Sequence, residues 1–265
     1  MINLIKADFY KINRSMIYKV LFLVSSVCAV VTTVISHMIH TSDMDITSAS
    51  SAAMLTDVVM LSLINSVLAG QMICGDFDNK LIQSSLTGCS GRFTVVSAKM
   101  VTFSIIVGIM TLPYAICSIV GVCMGGGFST PFSASIYLKI LFESNTVEFS
   151  AESVLKYIVI TVIMMLVYAA QSGIMFAIGF LMKNKALLTT AISFILSTFI
   201  GMSTSMITSD AGNDFLSFTP YSGDIYSLGN ETEALTLVKI ALVCIAFLAA
   251  YTGIAYTAFR KSEIK

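Results

Sequence analysis

Charge is scarce in this sequence. Of 265 residues, 11% are Asp, Glu, Lys or Arg and 56% are hydrophobic, against roughly 25% charged in an average soluble domain. That poverty excludes an ordinary water-soluble domain. The formal net charge is zero, so no overall field points to nucleic acid. Histidine is limited to His37 and His40, which leaves little material for His-based catalysis or metal binding. Six cysteines are present, at Cys28, Cys74, Cys89, Cys117, Cys123 and Cys244, with no CxxC pair. All but Cys89 fall in or beside apolar runs, so they read as small apolar residues rather than a disulfide framework or zinc site. No G-x-x-x-x-G-K-[ST] occurs, so the chain does not cradle nucleotide phosphates in the P-loop manner.

What is abundant is long apolar sequence. Mean hydropathy is +0.89, and the apolar residues come in runs near the ~20 needed to cross about 30 Å of hydrocarbon as a helix. Six spans are predicted, at roughly 17–39, 54–74, 100–124, 154–182, 187–207 and 235–259. The expected fold is therefore all-α, a polytopic membrane protein with one transmembrane domain over 1–265. The start does not read as a cleavable signal peptide, because 1–15 is polar and the apolar run after it is too long for a signal core of about 7–15 residues.

Cations set the expected orientation. Lys6, Lys11, Arg14, Lys19, Lys80, Arg92, Lys99, Lys183, Lys185, Arg260, Lys261 and Lys265 fall on one side of the predicted spans. Only Lys139, Lys156 and Lys239 fall on the other. The positive-inside rule puts the first group, and both termini, in the cytoplasm of a cell-membrane protein. Within 1–16, Ile5, Phe9, Ile12 and Met16 recur at spacings of four, three and four. This is one apolar stripe on a helix. With Lys6, Lys11 and Arg14 as cations for anionic headgroups, it predicts an amphipathic elbow along the cytoplasmic leaflet. The long external loops, about 125–153 and 208–234, contain an apolar stretch at 136–142 and aromatics that suit the interface belt.

Polar residues inside the spans are the candidate intramembrane contacts: Asp57, Asn65, Gln71 and Gln171, with Lys156 and Lys239 near the outer level. An acid in a span faces protein or water, and either lysine is the expected partner of Asp57. These residues serve a transport path or ordinary interhelical hydrogen bonding. Gly121 and Gly125, and the series Ala169, Gly173, Ala177, have small-xxx-small spacing. Pro113 is expected to kink the third span. His37, His40 and Asp43 are spaced i, i+3, i+6, which reads as a polar helix end rather than a metal site, since nothing completes a coordination shell. No cofactor is expected.

The loop after the second span carries the most legible motif. It runs Gly75-Asp76-Phe77-Asp78-Asn79-Lys80-Leu81-Ile82, then Ser84-Ser85-Leu86-Thr87-Gly88-Cys89-Ser90-Gly91-Arg92, and on to Lys99. Asp76 with Lys80, and Phe77 with Leu81, are i,i+4 pairs, so a short helix shown to the cytoplasm is predicted. Such a helix suits a partner's groove. With the elbow and six spans, this arrangement resembles the permeases of the type 2 ABC exporter family, in particular the short bacterial members of lantibiotic and bacitracin self-protection. The matching positions are Asp76 and Phe77, Leu81 and Leu86, Ser90 and Arg92, and Lys99; the sequence departs by having Gly88-Cys89 where Pro is frequent, and Gly91 between Ser90 and Arg92. Phe218-Thr219-Pro220-Tyr221 resembles the family's external loop.

The resemblance implies an ATPase-coupling loop built from Asp76, Phe77, Lys80, Leu81, Leu86, Ser90 and Arg92. It also implies two copies of a separate ABC ATPase subunit and a second permease protomer, identical or sister, in the lipid bilayer. The cargo implied is amphipathic: an antimicrobial peptide, drug or lipid. No enzyme activity is expected of this chain itself. The alternatives are an intramembrane enzyme and a non-transporting scaffold or sensor subunit. For the enzyme, Gly88-Cys89-Ser90-Gly91 fits the GxSG pattern of rhomboid-like proteases. A serine nucleophile needs a base within hydrogen-bond reach, and both histidines are predicted at the opposite membrane face.

Overall fold

The computed structural model describes residues 1–41, 56–82, 91–124, 128, 135–142, 151–183, 185–205, 210–222, 225, 228 and 232–261. Among them every regular element is a helix. In chain order these are α1 (Ile2–Arg14), α2 (Met16–His40), α3 (Asp57–Asp78), α4 (Arg92–Cys123), α5 (Ile136–Phe142), α6 (Ala151–Met182), α7 (Ala186–Ser205), α8 (Asp210–Leu216) and α9 (Ala234–Arg260). Six of them, α2, α3, α4, α6, α7 and α9, are long and apolar enough to cross a bilayer. In hydrocarbon each backbone polar group needs a partner within its own segment, which helices supply.

The six spans divide into an inner and an outer set. In the apolar stretches of α3, α4 and α6, 56–61% of residues are buried within the chain, against 28% for α2 and 17% for α7 and α9. Close contacts are built from small residues, as expected where lipid tails are as apolar as side chains and packing must drive association. A Cβ on Gly173 would lie 2.5 Å from the Tyr251 ring of α9, and Ala169 and Ala177 on the same helix are also buried. The small-residue series of α6 thus receives α9. α4 continues through Pro113; the Ser25 hydroxyl of α2 donates to the Met110 carbonyl just before it, at 2.8 Å.

Two boundaries differ from expectation. α3 reaches Asp78 and α4 begins at Arg92, so Asp76, Phe77 and the stretch 92–99 belong to spans and not to a loop. Polar residues had marked this region as exposed. Val95, Val96, Ala98 and Lys99 are nevertheless buried. The apolar stretch expected within a long loop is the helix α5, with Ile136, Tyr137, Leu138 and Ile140 buried. We refer below to the end of the bundle holding α1 and the close of α9 as the elbow end, and to the opposite one as the far end.

Candidate functional site

The elbow end is built around a buried acid. Asp76 is 3% exposed and Lys99, at the start of α4, is 4% exposed. Asp76 accepts hydrogen bonds from the ammonium groups of Lys99 and of Lys11 on α1. The Lys99 ammonium also lies 3.4 Å from Asp8 of α1. Two acids and two lysines make a charge-balanced quartet joining α1, α3 and α4, and balance is what lets charges stay buried. The apolar stripe of α1 assists: Ile5, Phe9 and Ile12 are half-buried, and Ile12 packs on the core. Met16, the stripe's fourth member, belongs instead to α2 and is exposed. Asp8 falls between Ile5 and Ile12 on that stripe. Burial raises its carboxyl above the ordinary 3.8, and Lys99 opposes this less strongly.

These contacts place part of the expected coupling loop inside the bundle. Among the described residues Asp76 pairs with Lys11 and Lys99 and not, as expected, with Lys80. It faces the interior. Phe77 likewise packs inward, edge-on to Phe180 of α6 at 6.0 Å and to Phe259 of α9 at 6.1 Å. Phe180 and Phe259 are fully buried and 5.7 Å apart. Phe176 and Phe103 extend the aromatic column into α4. Arg92 turns to the last helix: its Nη1 donates to the Arg260 carbonyl at 2.9 Å, and its guanidinium lies over the Phe259 ring. A helix end leaves carbonyls without partners, and here Arg92 supplies one from 168 residues away.

Lys80 and Leu81 are exposed. α3 stops through a left-handed Lys80 (φ 55°), whose N–H bonds the Phe77 carbonyl at 3.1 Å. Glycine is the usual residue for that conformation. Leu86 and Ser90, along with the Gly88–Gly91 serine motif apart from Gly91, lie outside the described residues.

A second polar group lies mid-bundle. α3 becomes π-helical at Gly70–Cys74, where α7 approaches: a Cβ on Gly70 would fall 2.8 Å from Thr190 Oγ1 and 3.0 Å from the Ala186 carbonyl. Such bulges break the helical register and recur at functional sites. Gln71 sits half-buried in this segment. One turn earlier, Asn65 Nδ2 donates to Ser172 Oγ of α6 at 2.7 Å, and its Oδ1 is buried without a donor. Ser197 of α7 donates to Ser62 at 3.3 Å, and Ser66 reaches Met175 Sδ at 3.4 Å. Gln171, expected deep in the fourth span, ties in the segment after α8, donating to the Pro220 carbonyl at 2.8 Å.

At the far end the second buried acid, Asp57, takes no ion pair among the described residues. Its Oδ2 accepts from Ser135 Oγ at 3.0 Å, the Ile136 N–H at 2.9 Å and the Tyr168 hydroxyl at 2.9 Å. Its Oδ1 accepts from the Val58 N–H at 2.9 Å. The expected pairing with Lys156 or Lys239 is not what satisfies this carboxyl; four donors do so, and they fasten α5 onto α3 and α6. Lys239 places its ammonium over the Phe218 ring at 5.5 Å. His37 packs on Phe128 with ring centroids 5.7 Å apart, while Asp43 lies outside the described residues.

Sequence reasoning did not select Asp8, Ser135 or Tyr168, and it assigned Lys11 to lipid headgroups rather than to Asp76. Asp8 did leave a signal, being an acid on the apolar stripe of an amphipathic helix. No protein-family model matches the sequence, and no curated protein matches it either.

Proposed function

We propose that this chain is the membrane-spanning permease subunit of an ATP-driven exporter. It would work with a second permease protomer and two ATPase subunits, and move an amphipathic cargo such as a peptide, drug or lipid. The observation that carries the reading is the anchoring of the short connector between α3 and α4. On one side of it, Asp76 and Phe77 bind α3 to α1, α4, α6 and α9. On the other, Arg92 binds α4 to the end of α9. A push on this connector is therefore passed to five helices at once, which is what a subunit driven by an external motor requires. The distribution of cations favours the elbow end as the cytoplasmic side.

The anchoring also redraws the contact. Asp76, Phe77 and Arg92 transmit force within the chain, and the exposed Lys80 and Leu81 form the contact with the ATPase. An exposed leucine beside a cation suits a partner's groove as a small anchor. The thinly covered outer spans α2, α7 and α9 offer apolar surface for lipid and for a second protomer. Alternating access would then be a rocking of one protomer against the other.

The test is purification of the tagged full-length chain from its native membranes, with ATP hydrolysis measured in the eluate. Vanadate-sensitive hydrolysis should co-purify. Leu81→Glu should lose most of it at unchanged membrane level, because burying an unpaired charge in the contact opposes docking. Full hydrolysis with Leu81→Glu, or none with the unaltered chain, rejects the exporter reading.

A further inference from the structure

Beside the quartet, α1, α2 and α4 enclose a groove of about 640 Å³, within the roughly 300–1,000 Å³ of ligand sites. Its lining changes character along its length. Lys6, Asn13 and Lys19 bring polar groups from α1 and the start of α2. Phe22, Ile106, Ile109 and Met110 provide an apolar floor from α2 and α4. The two lysines are exposed, and neither takes an ion pair among the described residues. They differ in this from Lys11 and Lys99, whose charges are absorbed by Asp8 and Asp76.

From this arrangement we infer that the groove seats one anionic glycerophospholipid, its phosphate between Lys6 and Lys19 and an acyl chain along the α2–α4 floor. The inference stands apart from the transport reading. Charge complementarity names the headgroup: among the described residues, the acids that meet α1 in ion pairs, Asp8 and Asp76, are already matched by Lys11 and Lys99, which leaves Lys6 and Lys19 to make the rim positive. The floor names the tail. Phe22 and Ile109 are about 40% exposed on helices long enough to span a bilayer, so the groove continues from an interfacial helix into hydrocarbon depth. A soluble anion would use the rim alone. Basic residues at a membrane surface favour anionic over zwitterionic lipid, and a shaped apolar seat turns that general attraction into occupancy by one molecule.

The chain contains no tryptophan, which permits a clean optical test. Phe22→Trp places one reporter in the groove, and Ile245→Trp places one on the exposed face of α9. The full-length chain is reconstituted in vesicles with brominated phosphatidylglycerol or brominated phosphatidylcholine of identical acyl chains, and quenching is followed against mole fraction. Trp at 22 should be half-quenched at about tenfold less phosphatidylglycerol than phosphatidylcholine, and Trp at 245 equally by both. Adding Lys6→Gln and Lys19→Gln should erase the difference, and Lys6→Arg with Lys19→Arg should keep it, which separates loss of charge from loss of fold. Equal quenching of Trp at 22 by the two lipids, or a preference that survives the double Gln change, overturns the site. Abolition of the preference by millimolar inorganic phosphate at constant ionic strength also overturns the lipid as occupant.

Discussion

Both ends of the molecule bury an aspartate in α3, and they stabilise it in different ways. At the elbow end Asp76 is met by two ammonium groups within a quartet that also includes Asp8. At the far end Asp57 is met by two hydroxyls and two backbone N–H groups. The ionic solution hinges on its buried pair, Asp76 and Lys99, because removing either one strands the charge of the other. The dipolar solution degrades in steps, since each donor lost leaves the others in place. The elbow end is accordingly a lock and the far end a clasp.

The sharpest way to break this comparison is to remove the acid at the lock. Asp76→Asn leaves Lys11 and Lys99 facing one remaining acid, and should destabilise the protein by about 3–5 kcal/mol, the general range for breaking a buried pair. Combining it with Lys99→Gln restores charge balance between Lys11 and Asp8, so the double variant should regain much of that loss. The thermal midpoint of detergent-purified protein is the readout. Losses that simply add would show that the four groups do not act as a unit.

A smaller effect is expected at the clasp. Tyr168→Phe removes one donor from Asp57 Oδ2 and should reduce stability by about 1–3 kcal/mol. Lys156→Gln should have less effect, because the described donors to Asp57 are hydroxyls and backbone N–H groups. A larger loss from Lys156→Gln than from Tyr168→Phe, in the same thermal assay, would return the cation to the centre of this site.

The two acids also differ in how legible they were. Hydropathy reveals a charge inside an apolar run, so Asp57 stood out at once. Three of its four donors lie 78 to 111 residues away, and a serine or tyrosine in an apolar sequence carries no mark of what it bonds. Lysine is the more visible partner in a sequence, whereas the described donors are hydroxyls and backbone N–H groups. Asp76 and Lys99 failed in the opposite direction. Each looked like loop because hydropathy assigns a charge to water one residue at a time, whereas these two cancel each other across 23 residues. Six spans and an amphipathic first helix were readable because they depend on run length and period, which are local properties. The inward turn of Phe77 was not readable, since its partners Phe180 and Phe259 come from two other spans.

The smallest expected effect separates the two acids of the lock. Asp8 lies on α1, outside the spans, and its carboxyl is raised above 3.8 chiefly by burial. The sign follows from linkage. A raised folded value means that the folded state holds the proton more tightly, so stability from this group is fully present below 3.8. It is lost as pH rises through the folded value and is constant above it. Asparagine mimics the protonated carboxyl and does not titrate. Asp8→Asn should therefore be at least as stable as the unaltered chain at pH 7, where Asp76→Asn is severely weakened. As pH is lowered towards 4, the unaltered chain should gain on Asp8→Asn, and the difference in their thermal midpoints isolates this one group from all others that titrate in both. A difference that stays flat from pH 7 to 4, or a loss at pH 7 equal to that of Asp76→Asn, would place Asp8 among the essential charges of the lock and not at its margin.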